Sequence, residues 1–194
     1  MSTPDYSSAL NFIAACWLVF LGVWLVASVS TKRTVYRESA GERARYWLLL
    51  VIAYFLLTQG RKFPYPLSFI LIPRTAASGW IGAVLCGCGL GLAIWARVVL
   101  GRNWSGVVTL KEDHELVRRG PYRFVRHPIY TGLQGMFLGT AIALGHLAGF
   151  LAVPLVFVSF WIKLGQEERL MLKQFPDDYA DYQRRVKRII PFLL

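Results

Sequence analysis

Long uncharged apolar runs, separated by short charged segments, dominate the pattern of this chain. Residues 10–29 form the first run, 20 residues without a charged side chain. That length is enough to cross a bilayer core of about 30 Å at about 1.5 Å per residue. Residues 75–96 form a similar run, and Arg97 is expected to end that helix. The pattern predicts an all-α integral membrane protein.

The segment between these two runs is less regular. A charged loop is expected over residues 31–45, and the apolar run over 46–60 is short for a membrane span. Residues 63–72 are apolar but are interrupted by prolines, which excludes one straight helix. The path of residues 58–78 therefore stays open.

A second half of different character follows residue 100. Residues 128–162 contain no formal charge, and such a run of 35 residues is too long for one membrane helix. The glycines over residues 145–149 predict a turn, and His146 within it is expected to be an interfacial residue. Two helices of about 17 residues each would result, forming a helix-turn-helix hairpin. The chain is therefore expected to have about five transmembrane helices.

Two further patterns concern packing and the C-terminal tail. Ala83, Gly87 and Gly91 recur every four residues, and such a stripe of small residues predicts a helix-packing face. In the tail, apolar side chains recur at spacings of three and four among basic residues, which predicts an amphipathic helix on the membrane surface. Those side chains are Tyr179, Tyr182, Val186 and Ile189.

Composition agrees with membrane insertion. Hydrophobic residues make up 55% of the chain and charged residues 17%, against about 25% charged residues in soluble domains. The net charge of +11 comes from Lys and Arg beside the apolar runs, so it indicates topology and no nucleic-acid partner. The basic residues concentrate in 31–45, 101–127 and the tail from Lys163, which predicts an extracellular N-terminus and a cytosolic C-terminus. We interpret residues 1–194 as a single membrane domain, with three spans in 1–100 and the half that carries the candidate site, the hairpin and the C-terminal helix in 101–194.

Several chemistries are not supported by the sequence. The chain has no Gly-rich nucleotide fingerprint, no Walker loop and no nucleophile elbow. His114 and His127 lack thiols or carboxylates at metal-ligand spacing, so no metal site is predicted.

Polar residues gather where the fourth and fifth predicted spans meet the membrane surface. Arg126-His127-Pro128-Ile129-Tyr130 leads into span four, and the proline favours a helix start with free backbone N–H groups that a ligand carboxylate could occupy. Lys163, Glu167 and Glu168 end span five. Two adjacent carboxylates there require that one points into the bundle. Arg97 either snorkels to the interface or faces a polar cavity.

These residues resemble the isoprenylcysteine carboxyl methyltransferase family of membrane enzymes, together with the related phospholipid N-methyltransferases. The resemblance covers roughly the last hundred residues and is of the prokaryotic type. It rests on Leu116-Val117 with Gly120-Pro121-Tyr122, on Arg126-His127-Pro128 with Tyr130 and Gly132, and on Glu167-Glu168 with Tyr179 and Tyr182.

The resemblance implies S-adenosylmethionine as methyl donor. Glu167, Lys163 and Arg97 are the expected catalytic residues, and Lys163 stands where the family often has an arginine for the substrate carboxylate. The expected cofactor-binding residues are His114, Glu115, Leu116, Val117, Tyr122, His127, Pro128, Ile129, Tyr130, Glu167 and Glu168. The expected acceptor is the α-carboxylate of a prenylated cysteine, or of a similar lipid-like molecule, that reaches the site from the membrane lipids.

Two alternatives stay open. A phospholipid N-methyltransferase would use the same cofactor site, but its amine acceptor must lose a proton, for which Glu167 or Glu168 would serve as base. A non-enzymatic membrane subunit would keep the fold without turnover. A multi-pass protein of the cell membrane with a cytosolic site is expected, and its oligomeric state is left open.

Overall fold

The computed structural model describes residues 4–28, 34–37, 40–101, 109–111 and 116–190. These residues form a bundle of α-helices with one small strand pair. The helices are α1 (Pro4–Ser28), α2 (Ala40–Gln59), α3 (Ala76–Leu100), α4 (Pro128–Leu144), α5 (Leu147–Gln174) and α6 (Pro176–Arg185). The strands β1 (Thr34–Arg37) and β2 (Thr109–Lys111), which were not predicted, pair antiparallel with Arg37 opposite Thr109.

Three of the described helices, α1, α3 and α5, are long and apolar enough to cross a membrane. α2 and α4 have 20 and 17 residues. Contacts at one end of the bundle join α1 to the end of α4, where the Tyr6 hydroxyl donates to the Ala143 carbonyl at 2.6 Å. The end of α2 reaches the same place, because Gly60 lies against His146. A helical membrane fold is therefore confirmed, whereas the count of five spans stays a prediction.

Several helix boundaries differ from the prediction. α2 begins at Ala40, so the expected charged loop over 31–45 is wrong from residue 40 onward; alanine, glutamate and arginine are good helix formers there. α3 continues to Leu100, so Arg97 lies inside the helix. α5 has 28 residues, longer than the predicted span, because its polar C-terminal turns remain helical.

Close contact between α3 and α4 depends on glycine, though not on the predicted stripe. A Cβ atom at Gly89 would overlap the carbonyl oxygen of Gly132, and one at Gly82 would overlap that of Gly139. The backbones can approach so closely only without side chains at these positions. Of the predicted stripe, Ala83 is buried in the core and Gly87 faces Phe12 of α1, so these two confirm a packing face, whereas nothing lies within 4 Å of a Cβ at Gly91.

The α4–α5 turn is enclosed by the segment that follows α2. This segment forms a 3₁₀ turn over Gly60–Lys62 and then an irregular path to Thr75. Its backbone pairs with the turn, since Leu71 N–H donates to Gly145 O at 2.8 Å and Leu147 N–H donates to Phe69 O at 2.8 Å. Residues 58–78 therefore cover the tip of the hairpin.

The expectation that His146 is merely interfacial is wrong. Its side chain is buried, and its Nδ1 accepts a hydrogen bond from Gly149 N–H at 2.9 Å. His146 thus caps the N-terminus of α5. Gly145 before it adopts a left-handed φ of 72°, which favours glycine.

The C-terminal helix is shorter than predicted. α6 ends at Arg185, and Val186 is extended, with φ −121° and ψ 133°. The predicted continuation of the helix to Ile189 is therefore wrong. Instead the chain runs beside the segment that precedes α4, where Val125 and Lys187 form a parallel bridge.

Candidate active site at the mouth of the α4–α5 hairpin

The entry to α4 has a fixed backbone. Gly120 has a positive φ of 60° and opens a 3₁₀ turn with Pro121 and Tyr122. His127 is non-helical, with φ −129° and ψ 61°, and Pro128 occupies the first helical turn. A residue that precedes proline is disfavoured in the α region, so the sequence itself determines where α4 starts.

The two backbone N–H groups that immediately precede this helix start are paired with the C-terminal segment. Arg126 N–H donates to Lys187 O at 2.8 Å, and His127 N–H donates to Arg188 O at 3.0 Å. The Thr131 hydroxyl continues this contact by donating to Ile189 O at 2.7 Å. The C-terminal segment therefore occupies the backbone donors just before α4, whereas binding of a ligand carboxylate at the first N–H groups of the helix stays a prediction.

Glu168 lies at the centre of a buried polar cluster. Its side chain is only 3% exposed, and its Oε1 accepts hydrogen bonds from Arg126 Nε at 2.9 Å and His127 Nε2 at 3.0 Å. Its Oε2 accepts hydrogen bonds from Gln183 Nε2 at 3.1 Å and Arg188 Nε at 3.1 Å. Two guanidinium groups thus compensate a carboxylate whose oxygens both have two or more donors.

Glu167, its neighbour, is far less enclosed. Its side chain is 24% exposed, and its Oε1 accepts the Tyr130 hydroxyl hydrogen at 2.7 Å. The same oxygen lies 3.8 Å from Lys163 Nζ. Its Oε2 lies 3.8 Å from His127 Nδ1, which exceeds hydrogen-bond distance. Glu167 is therefore the carboxylate with capacity for a ligand.

His127 joins the two carboxylates. The Glu168 carboxylate can only accept hydrogen bonds, so the ring proton on that side lies on Nε2. In the neutral ring, Nδ1 is then an acceptor that faces Glu167 Oε2 across 3.8 Å. A ligand group with two N–H donors could therefore donate to both His127 Nδ1 and Glu167 Oε2.

Lys163 stands one helical turn before Glu167 on the same face. Its Nζ lies 5.5 Å from the ring centre of Tyr130 and 5.5 Å from that of Tyr46, with its side chain 11% exposed. The predicted ion pair with Glu167 is confirmed at 3.8 Å. Aromatic faces stabilise the ammonium charge.

Apolar residues form the neighbouring wall. Tyr122 and Ile129 are buried with Ala96, and Val117 packs against them. The Tyr122 hydroxyl donates to Ala96 O at 3.3 Å. Burial raises the pKa of the Tyr122 phenol, so it stays a protonated donor. Leu116 is half-buried beside Val117.

Arg97 makes contacts of a different kind. Its guanidinium donates to Gly101 O at 2.7 Å and to Ala27 O at 2.8 Å, which lie at the C-terminal ends of α3 and α1. A cation there satisfies terminal carbonyls and complements both helix dipoles. Its predicted role in catalysis stays a prediction.

The structure brings most of the predicted residues together and adds others. His114 and Glu115 lie outside the described residues. Sequence reasoning missed three contributors, Arg188, Gln183 and Tyr46. Arg188 stands among four basic tail residues, and no local signal separates it from the exposed ones. In the part of the chain that is described, no three His, Cys, Asp or Glu side chains converge as a metal site would require.

A bundle with paired acids and a cation at a hairpin mouth defines a membrane protein with a polar ligand site. Residues 77–178 match the family model described as phospholipid methyltransferase. A protein-S-isoprenylcysteine O-methyltransferase of Schizosaccharomyces pombe is 31% identical over 164 residues, covering 76% of this chain and 67% of that protein. A probable protein-S-isoprenylcysteine O-methyltransferase of Oryza sativa subsp. indica is 27% identical over 186 residues, covering 93% and 94%.

The chain therefore belongs to the phospholipid methyltransferase family, together with these isoprenylcysteine O-methyltransferases, as the resemblance of its motifs predicted. A solved structure supports the fold. The eukaryotic intramembrane Ras methyltransferase, isoprenylcysteine carboxyl methyltransferase, matches 98% of this chain and 69% of its own, with a TM-score of 0.64 and 24% identity.

Proposed function

We propose that this protein is an S-adenosylmethionine-dependent carboxyl methyltransferase that acts on the α-carboxylate of isoprenylcysteine or a similar lipid-like acceptor. The observation that carries the proposal is the half-open carboxylate of Glu167. It lies between His127 Nδ1 and Lys163 Nζ, at 3.8 Å from each. The ammonium group of the methyl donor could bind beside His127 and Glu167, and the carboxylate of the methyl acceptor could bind beside Lys163. The two groups would then lie within one helical turn of each other.

The acceptor pair of His127 and Glu167 fits the methyl donor. Its methionine end carries an ammonium group, which can donate to both Nδ1 and Oε2 across their gap of 3.8 Å. The wall of Val117, Tyr122 and Ile129 suits the less polar remainder of the molecule. When bound, S-adenosylmethionine supplies an activated methyl group on a sulfonium.

The remaining residues that were predicted to contact the cofactor are supported to different degrees. His114, Glu115, Leu116 and Pro128 rest on the motif resemblance. The enclosure of Glu168 by four side chains favours a role in holding the site over direct contact with the cofactor.

On the acceptor side, Lys163 would bind the substrate carboxylate. A carboxylate is already ionised near neutral pH, so this chain needs no general base for the reaction. Its task is to hold the nucleophilic oxygen in line with the methyl carbon. Tyr46 and Tyr130, with ring centres 5.5 Å from Nζ, limit where that carboxylate can approach.

The family model's description favours phospholipid N-methylation as a second candidate. An ammonium acceptor must lose a proton before it attacks, and Glu167 is the exposed carboxylate that could take it. The cation of Lys163 beside the same position disfavours a cationic acceptor.

The location that we propose is a cytosolic face of the membrane. The basic segment before α4 and the basic tail lie together at the site end of the bundle, where they pair through residues 125–127 and 187–188. Lys and Arg concentrate in cytoplasmic loops, so five spans with an external N-terminus would place the site in the cytosol.

The test is acceptor competition with purified full-length protein in detergent. It is incubated with methyl-labelled S-adenosylmethionine and either farnesylcysteine or phosphatidylethanolamine. Label in farnesylcysteine that mild base releases is expected, because a carboxyl methyl ester hydrolyses and an N-methyl group does not. The Glu167→Gln variant serves as the control for site-dependent label.

Label confined to phosphatidylethanolamine would replace the carboxyl acceptor with the lipid amine. Absence of S-adenosylhomocysteine binding by calorimetry would refute both enzymatic functions and favour the non-enzymatic subunit.

A further inference from the structure

The C-terminal segment after α6 is held along the entrance to α4 by its backbone. Lys187 O and Arg188 O accept the N–H groups of Arg126 and His127 at 2.8 and 3.0 Å. The Thr131 hydroxyl donates to Ile189 O at 2.7 Å. Lys187 and Arg188 therefore lie beside Arg126 and His127, the two residues that donate to Glu168 Oε1.

The register brings one side chain of the tail into the cluster. Arg188 Nε donates to Glu168 Oε2 at 3.1 Å, and its Nη2 reaches the same oxygen. The guanidinium carbon lies 4.3 Å from the ring centre of Trp161 on α5. The side chain is 20% exposed, whereas Arg184 and Arg185 nearby are 72% and 76% exposed. Arg188 is thus the basic tail residue that is packed and directed inward.

Arg188 determines which donors reach each oxygen of Glu168. Because Arg188 and Gln183 occupy Oε2, Arg126 and His127 share Oε1. A buried carboxylate that loses one guanidinium is less compensated, so its negative charge acts more strongly on the groups that remain beside it. For His127, this favours a ring that carries protons on both nitrogens.

We propose that Arg188 is a positioning residue, which acts through Glu168 to keep His127 Nδ1 unprotonated and directed toward Glu167. The proposal rests on the proposed function for the identity of the ligand and deepens it. It assigns the C-terminal segment as a third wall of the methyl-donor site. Arg188 does not touch the reacting atoms and is no catalytic residue.

The experiment combines a binding measurement with a direct measurement of the His127 ring. Full-length protein with ¹⁵N-labelled histidine is prepared as wild type, Arg188→Gln, Arg188→Lys and Arg184→Gln. Calorimetry gives the affinity for S-adenosylhomocysteine, and ¹⁵N NMR gives the protonation of each ring nitrogen. The His127 signal is assigned from the spectrum of His127→Asn.

We expect Arg188→Gln to weaken binding about 10- to 100-fold, the loss that accompanies removal of a hydrogen bond to a charged group. With one cation fewer beside Glu168, the His127 ring should carry a proton on Nδ1 as well as on Nε2. Arg188→Lys keeps the charge without the planar fork and should fall between wild type and Arg188→Gln. Arg184→Gln changes an exposed pair with Asp181 and should match wild type in both measurements.

Wild-type affinity together with an unchanged His127 ring in Arg188→Gln would overturn the inference. If Arg188→Gln does not fold, the lysine variant decides, because identity with Arg184→Gln in both measurements would overturn it equally. The two proposals fail separately. A wild-type protein without affinity for S-adenosylhomocysteine contradicts the proposed function, whereas the ring measurement still tests Arg188.

Discussion

Two histidines stand immediately before a helix, and they use their rings in opposite ways. His146 turns its Nδ1 back to cap α5 and is buried at the hairpin tip. His127 makes no side-chain cap at α4, and its ring bridges Glu168 and the vicinity of Glu167. The first caps its own helix, whereas the second contacts acids on α5. A histidine that forgoes its local cap for distant acids is the one to examine for function.

The largest effect should follow from removing the acid that holds His127. Glu168→Gln leaves the guanidinium groups of Arg126 and Arg188 without their shared carboxylate. We expect a loss of about 3–5 kcal/mol in the free energy of unfolding, the cost of breaking a buried ion pair. Thermal unfolding in detergent measures it. Glu167→Gln, at a side chain 24% exposed, should change stability little, and equal losses would contradict the division between the two acids.

The next effect concerns His127 itself. His127→Asn retains a residue suited to a helix N-cap but cannot reach both acids. S-adenosylhomocysteine should bind about 10- to 100-fold more weakly, and the unfolding temperature should fall less than in Glu168→Gln, because Glu168 keeps its other donors. Calorimetry on the folded variant gives the answer, with His146→Asn as the matched substitution at the other end. Equal affinity in the two variants would remove the functional distinction between the histidines.

His146 should show the reverse behaviour. His146→Ala removes the cap from Gly149 N–H and leaves space beside Gly60. Stability should fall by about 2 kcal/mol, while ligand affinity stays that of the wild type. Unfolding and calorimetry on the same sample separate these quantities. A large loss of affinity would show that the hairpin tip is coupled to the site.

The smallest effect is a dependence of stability on pH. Burial, and then the charge of Arg74, lower the pKa of His146 from its ordinary value of 6.5, with Arg61 adding to the effect. The unfolded chain therefore takes up a proton before the folded one as pH falls. Stability from this residue is complete above pH 6.5 and is lost below it. Unfolding temperatures on either side of that pH should differ less in His146→Asn, and an unchanged difference would contradict this assignment.

Much of the site could be predicted because a helical hairpin places the start of α4 beside the end of α5. The charge-free run interrupted at Gly145 predicted the pair of helices. Antiparallel neighbours then place His127 and Tyr130 opposite Glu167, whose contacts the structure contains. Lys163 followed from helical spacing alone.

Other features depend on tertiary contacts that periodicity does not encode. The helix-packing glycines are Gly82 and Gly89, since which face of α3 is buried depends on where α4 lies. Arg188 could not be distinguished within the basic tail, because its inward direction follows from the chain leaving the helix at Val186. The burial of His146 required knowing that the segment after α2 covers the turn.

The pairing of Lys187 and Arg188 with the start of α4 also sets an order of events during synthesis. A ribosome makes α4 and its histidine before the residues that fix them, with a delay on the order of seconds at about 5–20 residues per second. Glu168 and its partners Arg126, His127 and Gln183 are thus all made before Arg188. The cluster around Glu168 would be completed by a segment translated after the helices that it joins.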